Sequence, residues 1–393
     1  MANPKEITLG ILPSLGGSLE SQKKDKREGL FLNYYIPTYL KHFDRITYFS
    51  YANEALRNIP KFEIVGNKLN LHRYIYGLLL PFFHFKTIRK CSVLRCMHLN
   101  GALTALIAKW FFGIRFVTTY GYDYVRFAEI EKHFIQARLL KLVIPLVLKA
   151  ADGVIVTTDE LRKRVEMYIG RSMKIKKIPN GVDCDRFHPS KQSGNNPRTT
   201  FQMLAIGRLE RQKNLFFLLD VISEVAKKRP VRLTLIGNGN LRGELHEKAF
   251  KDKVPVNFVE SVPYEFMPEA HKEADCYIST SLSEGHPKSL IEAMSSGLPC
   301  IVSDCPGNRT MIENGKSGIV LDASDVRKWV DSIVYLIDHA EEQSKFGAAA
   351  RQYIKESFDL RSTLDMDLEF VVSAANNSVK KDNNLLTPNL ETL

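Results

Sequence analysis

The sequence predicts an α/β protein of two doubly wound parallel sheets, each covered by helices, facing one another across a cleft. Three observations lead there. Short apolar, β-rich runs alternate with helical stretches along most of the chain. A polar, Gly- and Pro-bearing stretch at residues 190–197 (SKQSGNNP) interrupts the alternation, which then restarts. The chain has 393 residues, 44% hydrophobic and 25% charged, which suits two ordinary globular domains. We expect a first domain over 1–190, a second over 191–360, a further helix over 361–376 and a disordered polar tail over 377–393.

Taken in order, strands are expected at 6–12, 46–50, 62–65, 91–97, 114–119, 153–157 and 174–178. Helices are expected at 29–41, 102–112 (stopped by Gly113), 134–150 and 159–168. The loop after the first strand carries Gly16 and Gly17, with Lys23, Lys24, Lys26 and Arg27 beyond it. Such a loop either approaches a phosphate or sugar closely or is an ordinary turn. Residues 71–90 combine Tyr74, Tyr76, Phe82, Phe83 and Phe85 with flanking Arg73, Lys86, Arg89 and Lys90. They read either as a segment lying in a membrane interface or as a buried helix. Two successive strands end in polar tips, His98 after one and Tyr120 and Asp123 after the next. Strand ends of this kind open onto the ligand crevice, so all three are expected near the active site.

In the second half, strands are expected at 201–207, 231–236, 256–259, 276–279, 300–303 and 318–321. Helices are expected at 215–228, 263–272, 326–337, 341–357 and 363–375. The most informative stretch is 283–299, Ser-Glu-Gly-His-Pro-Lys-Ser-Leu-Ile-Glu-Ala-Met-Ser-Ser-Gly-Leu-Pro. Pro287 suits the first position of a helix, Leu290, Ile291, Ala293 and Met294 form a buried stripe, and Gly297 with Pro299 ends it. The junction aims free N–H groups and a positive dipole end into the cleft, an anion site. Glu284 before the helix and Glu292 within it border that site, an arrangement suited to a diphosphate carrying hydroxylated groups at both ends.

Several features exclude alternatives. Residues 237–243 resemble a dinucleotide fingerprint with one residue too many, so a tight turn or another nucleotide contact is expected there. Asp183/Asp185 and Asp365/Asp367 are Asp-x-Asp pairs, the first beside the linker and the second on an expected surface helix; neither is taken as a metal site. No phosphate-binding P-loop occurs. The six cysteines are scattered and read as reduced. Residues 1–6 lead straight into a strand and no apolar run reaches the length of a membrane span, so a cytoplasmic protein is expected. The formal charge of +11 is uneven. Residues 1–195 hold 31 Lys and Arg against 16 Asp and Glu, and the remainder 24 against 28. The basic half points to a polyanionic partner; no nucleic-acid recognition module is visible, so an anionic membrane surface or phosphorylated acceptor is favoured.

Three segments together resemble the retaining glycosyltransferase family 4: residues 178–183 (IPNGVD), the loop Gly207-Arg208-Leu209 with Lys213-Asn214, and Glu284 to Glu292 with its EAM-x-x-G-x-P tail. The resemblance implies the GT-B fold, two facing Rossmann-like domains with a C-terminal helix crossing back to the first. It implies a hexosyl-type transfer from a UDP- or GDP-sugar to an acceptor, with no cofactor and no metal. Arg208 and Lys213 would hold the diphosphate, Glu292 the ribose and Glu284 the donor sugar. His286 and the N–H groups of Lys288, Ser289 and Leu290 would meet sugar or phosphate oxygens, Gly16 and Gly17 would approach the phosphate, and the base would lie near Gly237, Asn238, Gly239, Ser261, Val262 and Pro263. Many members carry His-Gly where this chain has Tyr120-Gly121. Either His98, Asp123 or Tyr120 takes that role, or no general base is needed. The expected acceptor is a glycan, lipid-linked, at the inner face of the cytoplasmic membrane, in surface polysaccharide or lipopolysaccharide synthesis. The alternatives are a nucleotide-sugar epimerase, a transferase with a soluble acceptor, or a non-catalytic partner subunit.

Overall fold

A computed structural model describes residues 7–24, 28–54, 59–190 and 199–376. The expected tail lies outside these residues, as do most of the linker and Lys26 and Arg27. Seven strands, β1 (Thr8–Leu12), β2 (Arg45–Phe49), β3 (Phe62–Val65), β4 (Val93–Cys96), β5 (Phe116–Tyr120), β6 (Gly153–Val156) and β7 (Ile175–Lys177), form one parallel sheet in the order β3-β2-β1-β4-β5-β6-β7. Six more, β8 (Phe201–Ile206), β9 (Val231–Ile236), β10 (Val256–Val259), β11 (Cys276–Ser279), β12 (Cys300–Ser303) and β13 (Ile319–Leu321), form a second in the order β10-β9-β8-β11-β12-β13. Strand order reverses between β1 and β4, where Leu9 pairs Val93, and between β8 and β11, where Met203 pairs Cys276. Ligands of such sheets bind outside the carboxyl ends at those reversals.

Both faces of each sheet are covered, so central strands read as continuous apolar runs rather than alternating ones. Leu9, Ile11, Leu94, Val117 and Val154 are fully buried in the first domain, and Leu233, Ile278 and Ile301 in the second. Trp329 fills the outer layer of the second core, its indole N–H donating to the Asp322 carbonyl at 2.8 Å. The six cysteines are buried free thiols.

Local chemistry explains where helices depart from the expectation. The helix expected at 29–41 is broken into Glu28–Leu30, a π turn over Phe31–Tyr35, and Ile36–Tyr39. Pro37 has no N–H to give, and the ladder shifts so that Ile36 N–H bonds Phe31 O. In Arg73–Phe83, Pro81 leaves the Gly77 carbonyl without its helical donor, and the Thr104 hydroxyl supplies one at 2.8 Å. Besides short helical turns such as Leu19–Lys24 and Pro306–Arg309, two longer helices went unread: Tyr124–Ile130, and Arg242–Lys251, which buries only Leu245 and Ala249.

The helix Leu360–Asn376 crosses back onto the first sheet. Residues 180–183 and 358–360 run side by side, with Val182 N–H donating to Phe358 O at 2.9 Å and Leu360 N–H to Val182 O at 3.0 Å. Gly181 is required there because a Cβ would collide with the Thr363 hydroxyl. The expectation of an exposed Asp367 is corrected: it is 6% exposed and forms a bidentate pair with buried Arg95 of β4, Nε–Oδ1 3.1 Å and Nη2–Oδ2 2.7 Å, while Tyr39 donates to Oδ1 at 2.8 Å. Asp365 is the exposed one, paired with Lys41 at 2.9 Å.

Candidate active site

The loops after β8, β9 and β11 interlock at the carboxyl edge of the second sheet. Gly207 N–H donates to Ile236 O and Leu209 N–H to Asn238 O, at 3.0 and 2.9 Å. Gly237 has φ +155°, and a Cβ there would land on the Gly207 carbonyl; one on Gly239 would clash with the Leu209 backbone. Asn238 Nδ2 donates to Glu260 at 2.7 Å, which ties this turn to half-buried Ser261, Val262 and Pro263 after β10.

Arg211–Lys213 form a single 3-10 turn ending in left-handed Asn214, and Thr280 Oγ1 donates to the carbonyls of both Lys213 and Asn214, 3.0 and 3.1 Å. The Lys213 side chain crosses Gly207, where a Cβ would stand 2.9 Å from its Cε. Its ammonium meets Glu284 Oε1 at 2.5 Å, in a setting where the two side chains are only 17% and 10% exposed. Arg208 pairs with Glu210 at 3.1 Å and lies 5.0 Å over the Phe127 ring.

The helix Lys288–Ser295 begins beside this pair with no side chain capping it. Its first-turn N–H groups, those of Lys288, Ser289 and Leu290, belong to the amides that a helix cannot satisfy internally. Ser289 Oγ lies 2.9 Å from Tyr277 OH, Leu290 has a fully buried side chain and can offer only its backbone, and Glu292 is 8% exposed beneath Tyr264 and Tyr277. Gly285 is enclosed: a Cβ would strike the Gly121 carbonyl of the first domain, and Gly307 backs the same loop.

The first domain contributes unevenly. His98 is reachable by solvent in the space between both halves; the protein around it, then the positive charges of Arg95 and Lys288, lower its pKa below the usual 6.5 and favour the neutral ring. Tyr124 OH accepts from Leu99 N–H at 3.1 Å and steadies that loop. Tyr120 is not in the cleft: it is fully buried in the first core against Tyr124, with no hydrogen-bond partner for its hydroxyl. Asp123 lines the cleft but caps the helix Tyr124–Ile130, accepting Arg126 N–H at 3.0 Å and pairing with Arg164 at 2.9 Å. Gly16, φ +84°, lies under the Arg73 side chain, and Gly17 N–H closes a turn to Ser14 O at 2.7 Å. His286 is corrected: it is 6% exposed, accepts Asn180 N–H at Nδ1 (3.2 Å), and packs on Phe358, so it clamps the interdomain segment instead of facing the cleft. Burial and the nearby Lys177 lower its pKa to about 4.

Sequence reasoning missed Glu131 and Gln212. Buried Glu131, at the end of the unread helix, accepts the backbone N–H of Gln212 at 2.8 Å, and Gln212 in turn bonds the Ser283 carbonyl. The turn between Arg208 and Lys213 is thus held from the first domain. Asp123 before an apolar i, i+3 pattern was the available signal. Between the halves, a cavity of about 240 Å³ is lined by Asp123, Arg126 and Arg164 on one side and Ser283, Glu284 and Pro306 on the other. Among the described residues, no three His, Cys, Asp or Glu gather as a metal site, and Asp183 is engaged by Tyr34 OH at 2.7 Å.

Comparison with known proteins bears on this geometry. The family described as "Glycosyl transferases group 1" matches residues 187–353, and "Glycosyltransferase Family 4" matches residues 35–186. The chain belongs to glycosyltransferase family 4. A relative in Escherichia coli, the UDP-Gal:alpha-D-GlcNAc-diphosphoundecaprenol alpha-1,3-galactosyltransferase, is 28% identical over 44% of this chain and 47% of its own. The chain spans about half the length of the first curated relatives it matches. Among solved structures, sucrose-phosphate synthase from Thermosynechococcus elongatus superposes with TM-score 0.76 at 17% identity, covering 93% of this chain and 98% of that one. Anabaena HepE, solved with UDP and glucose, gives 0.74 at 18% identity, covering 94% and 100%. These likenesses show the GT-B fold.

Proposed function

We propose that this family member transfers a sugar from a UDP- or GDP-sugar to a glycan acceptor, lipid-linked, at a membrane surface, with retained anomeric configuration and no metal. The observation that carries the reading is the part-buried pair of Lys213 with Glu284, four residues ahead of the uncapped helix Lys288–Ser295 that holds Glu292, with Arg208 in the same loop after β8 as Lys213. Donor diphosphate would exchange the ammonium and guanidinium from Glu284 and Glu210 to phosphate oxygens. The bond between the anomeric carbon and the diphosphate breaks, negative charge grows on the leaving oxygen, and two fixed cations with the helix amides stabilise it. The acceptor oxygen bonds the same face of the anomeric carbon, and its proton passes to the departing phosphate oxygen. Glu284, freed from Lys213, is positioned for the donor hydroxyls, and Glu292 for the ribose. Neutral His98 can accept a hydrogen bond at the acceptor side.

A polyprenyl-diphosphate acceptor is named for the E. coli relative. It suits a first domain that exposes Tyr74, Leu78, Phe82 and Phe85 beside Arg73, Lys86 and Arg89. We read the product as part of a surface polysaccharide or lipopolysaccharide. The test is thermal melting against UDP- and GDP-sugars with EDTA present. Stabilisation by one donor, lost in Glu292→Ala, supports the reading; no shift with any donor contradicts it.

A further inference from the structure

Three crossover helices, Arg73–Phe83, Ala102–Phe112 and Phe134–Ala150, cover one face of the first sheet, and the middle one packs against both others. Their inner faces supply Leu80, Ala105, Ile144 and Val147 to the core. Outer faces of such helices are ordinarily polar. Here they are not. On Phe134–Ala150, Ile135, Leu139, Leu142 and Leu146 recur at helical spacing along the outside, Ile135 79% and Leu142 69% exposed. Trp110 and Phe111, each 64% exposed, end the middle helix, and Phe111 meets Phe82 of the first helix edge-on at 5.0 Å. The apolar surface therefore extends past the aromatic segment at 71–90 onto Phe134–Ala150, a later crossover helix.

We propose that this three-helix face lies flat on an anionic lipid bilayer, with Phe134–Ala150 a second line of contact beside Arg73–Phe83. It rests on the membrane-acceptor reading above and adds which surface is wetted by lipid and how the cleft is aimed. Among the described residues no helix is long and apolar enough to cross a membrane, so contact is in the plane of the interface. Exposed Arg73, Lys86, Arg89 and Lys90 border one edge, and exposed Arg138, Lys141 and Lys149 lie along the other. The nearby acids Glu129 and Asp152 are taken up by Lys141 and Lys109, at 3.0 and 2.8 Å. Two basic margins flanking an apolar strip complement a uniformly negative surface; a second copy of the chain would set like charges against one another. Crossover helices begin at the carboxyl ends of strands, so the strip starts at the cleft mouth, where Arg73 lies across Gly16. Docking flat holds that mouth at the headgroups, within reach of an acceptor anchored in the same leaflet.

The test is flotation of the full chain with vesicles of phosphatidylcholine alone or mixed with phosphatidylglycerol. The wild-type chain should float with the anionic vesicles. Leu139→Asp with Leu142→Asp, both pointing outward, should lower the partition coefficient by more than about tenfold, as should Tyr74→Asp with Leu78→Asp. Melting shifts with UDP-glucose and GDP-mannose should match the wild type in both variants, which separates a failed membrane face from a failed donor site. Wild-type flotation by the Leu139/Leu142 variant overturns the second contact line. No flotation by the wild type, or a dimer in sedimentation that this variant dissociates, overturns the lipid assignment.

Discussion

At the carboxyl edge of the second sheet, each loop is tied to the next: Gly207 to β9, Asn238 to Glu260, Thr280 to the Lys213 turn, Lys213 to Glu284. At the corresponding edge of the first sheet, His98 is exposed, Tyr120 has turned into the core, and Asp123 is occupied as a cap. The first half puts its strongest polar contact elsewhere, in the buried Arg95–Asp367 pair that holds the returning helix. The same topology thus carries a preorganised ligand edge in one domain and a scaffold with an open edge in the other. On the proposed function, a fixed set of donors would lower the cost of stabilising a diphosphate, and an open edge would suit a larger acceptor.

The contrast can be broken from either side. The largest effect is expected for Asp367→Asn, which leaves Arg95 charged and buried; chemical denaturation should show a loss of about 3–5 kcal/mol. A loss under about 1 kcal/mol would mean that apolar packing around Val371 alone holds the helix. Next, Lys213→Ala should lower kcat by about 10²–10³-fold with the melting temperature near the wild type. Near-wild-type turnover would remove Lys213 from the leaving-group site.

Acid should act on the scaffold. His271 and His286 are buried, and burial depresses both from 6.5 to about 4. Their contribution is full above pH 6.5 and is lost as pH falls towards 4, because the unfolded chain binds those protons first. Roughly 2 kcal/mol per buried ring should be gone at pH 5, and His286→Gln should flatten the melting temperature against pH. An unchanged slope would discard that account. In the activity profile, His98 should give no inflection at or above 6.5, since the protein around it, Arg95 and Lys288 lower its pKa; an inflection there that disappears in His98→Gln would contradict its placement.

The smallest effect sharpens the link between the halves. Glu131→Ala should raise the donor KM about tenfold, at about one hydrogen bond to a charged group, with kcat little changed. Glu131→Gln should restore it, because the amide oxygen still accepts from Gln212. Equal KM in all three proteins would make the contact a mere neighbour of the cations.

Both sheets were legible in the sequence because strands buried on two faces need unbroken apolar runs, and such runs are local. The Glu284–Glu292 stretch was legible for the same reason: Pro287, the apolar stripe and Gly297 mark a helix start and stop within a dozen residues. What a neighbouring element does to a side chain was not legible. His286 and His98 look alike in sequence, yet Asn180 and Phe358 enclose one while the cleft leaves the other accessible. Tyr120 ends a strand whose tip should meet ligand, but its ring falls on the core side of the sheet. Asp367 reads as a surface acid in the sequence, and only Arg95, 272 residues away, makes it a buried partner. Local pattern therefore determined the strands, their order and the loop-to-helix junction at 283–295. Only the tertiary structure decided which polar groups were buried, paired or left facing the cleft, because desolvation and pairing depend on atoms that the chain brings together from far apart.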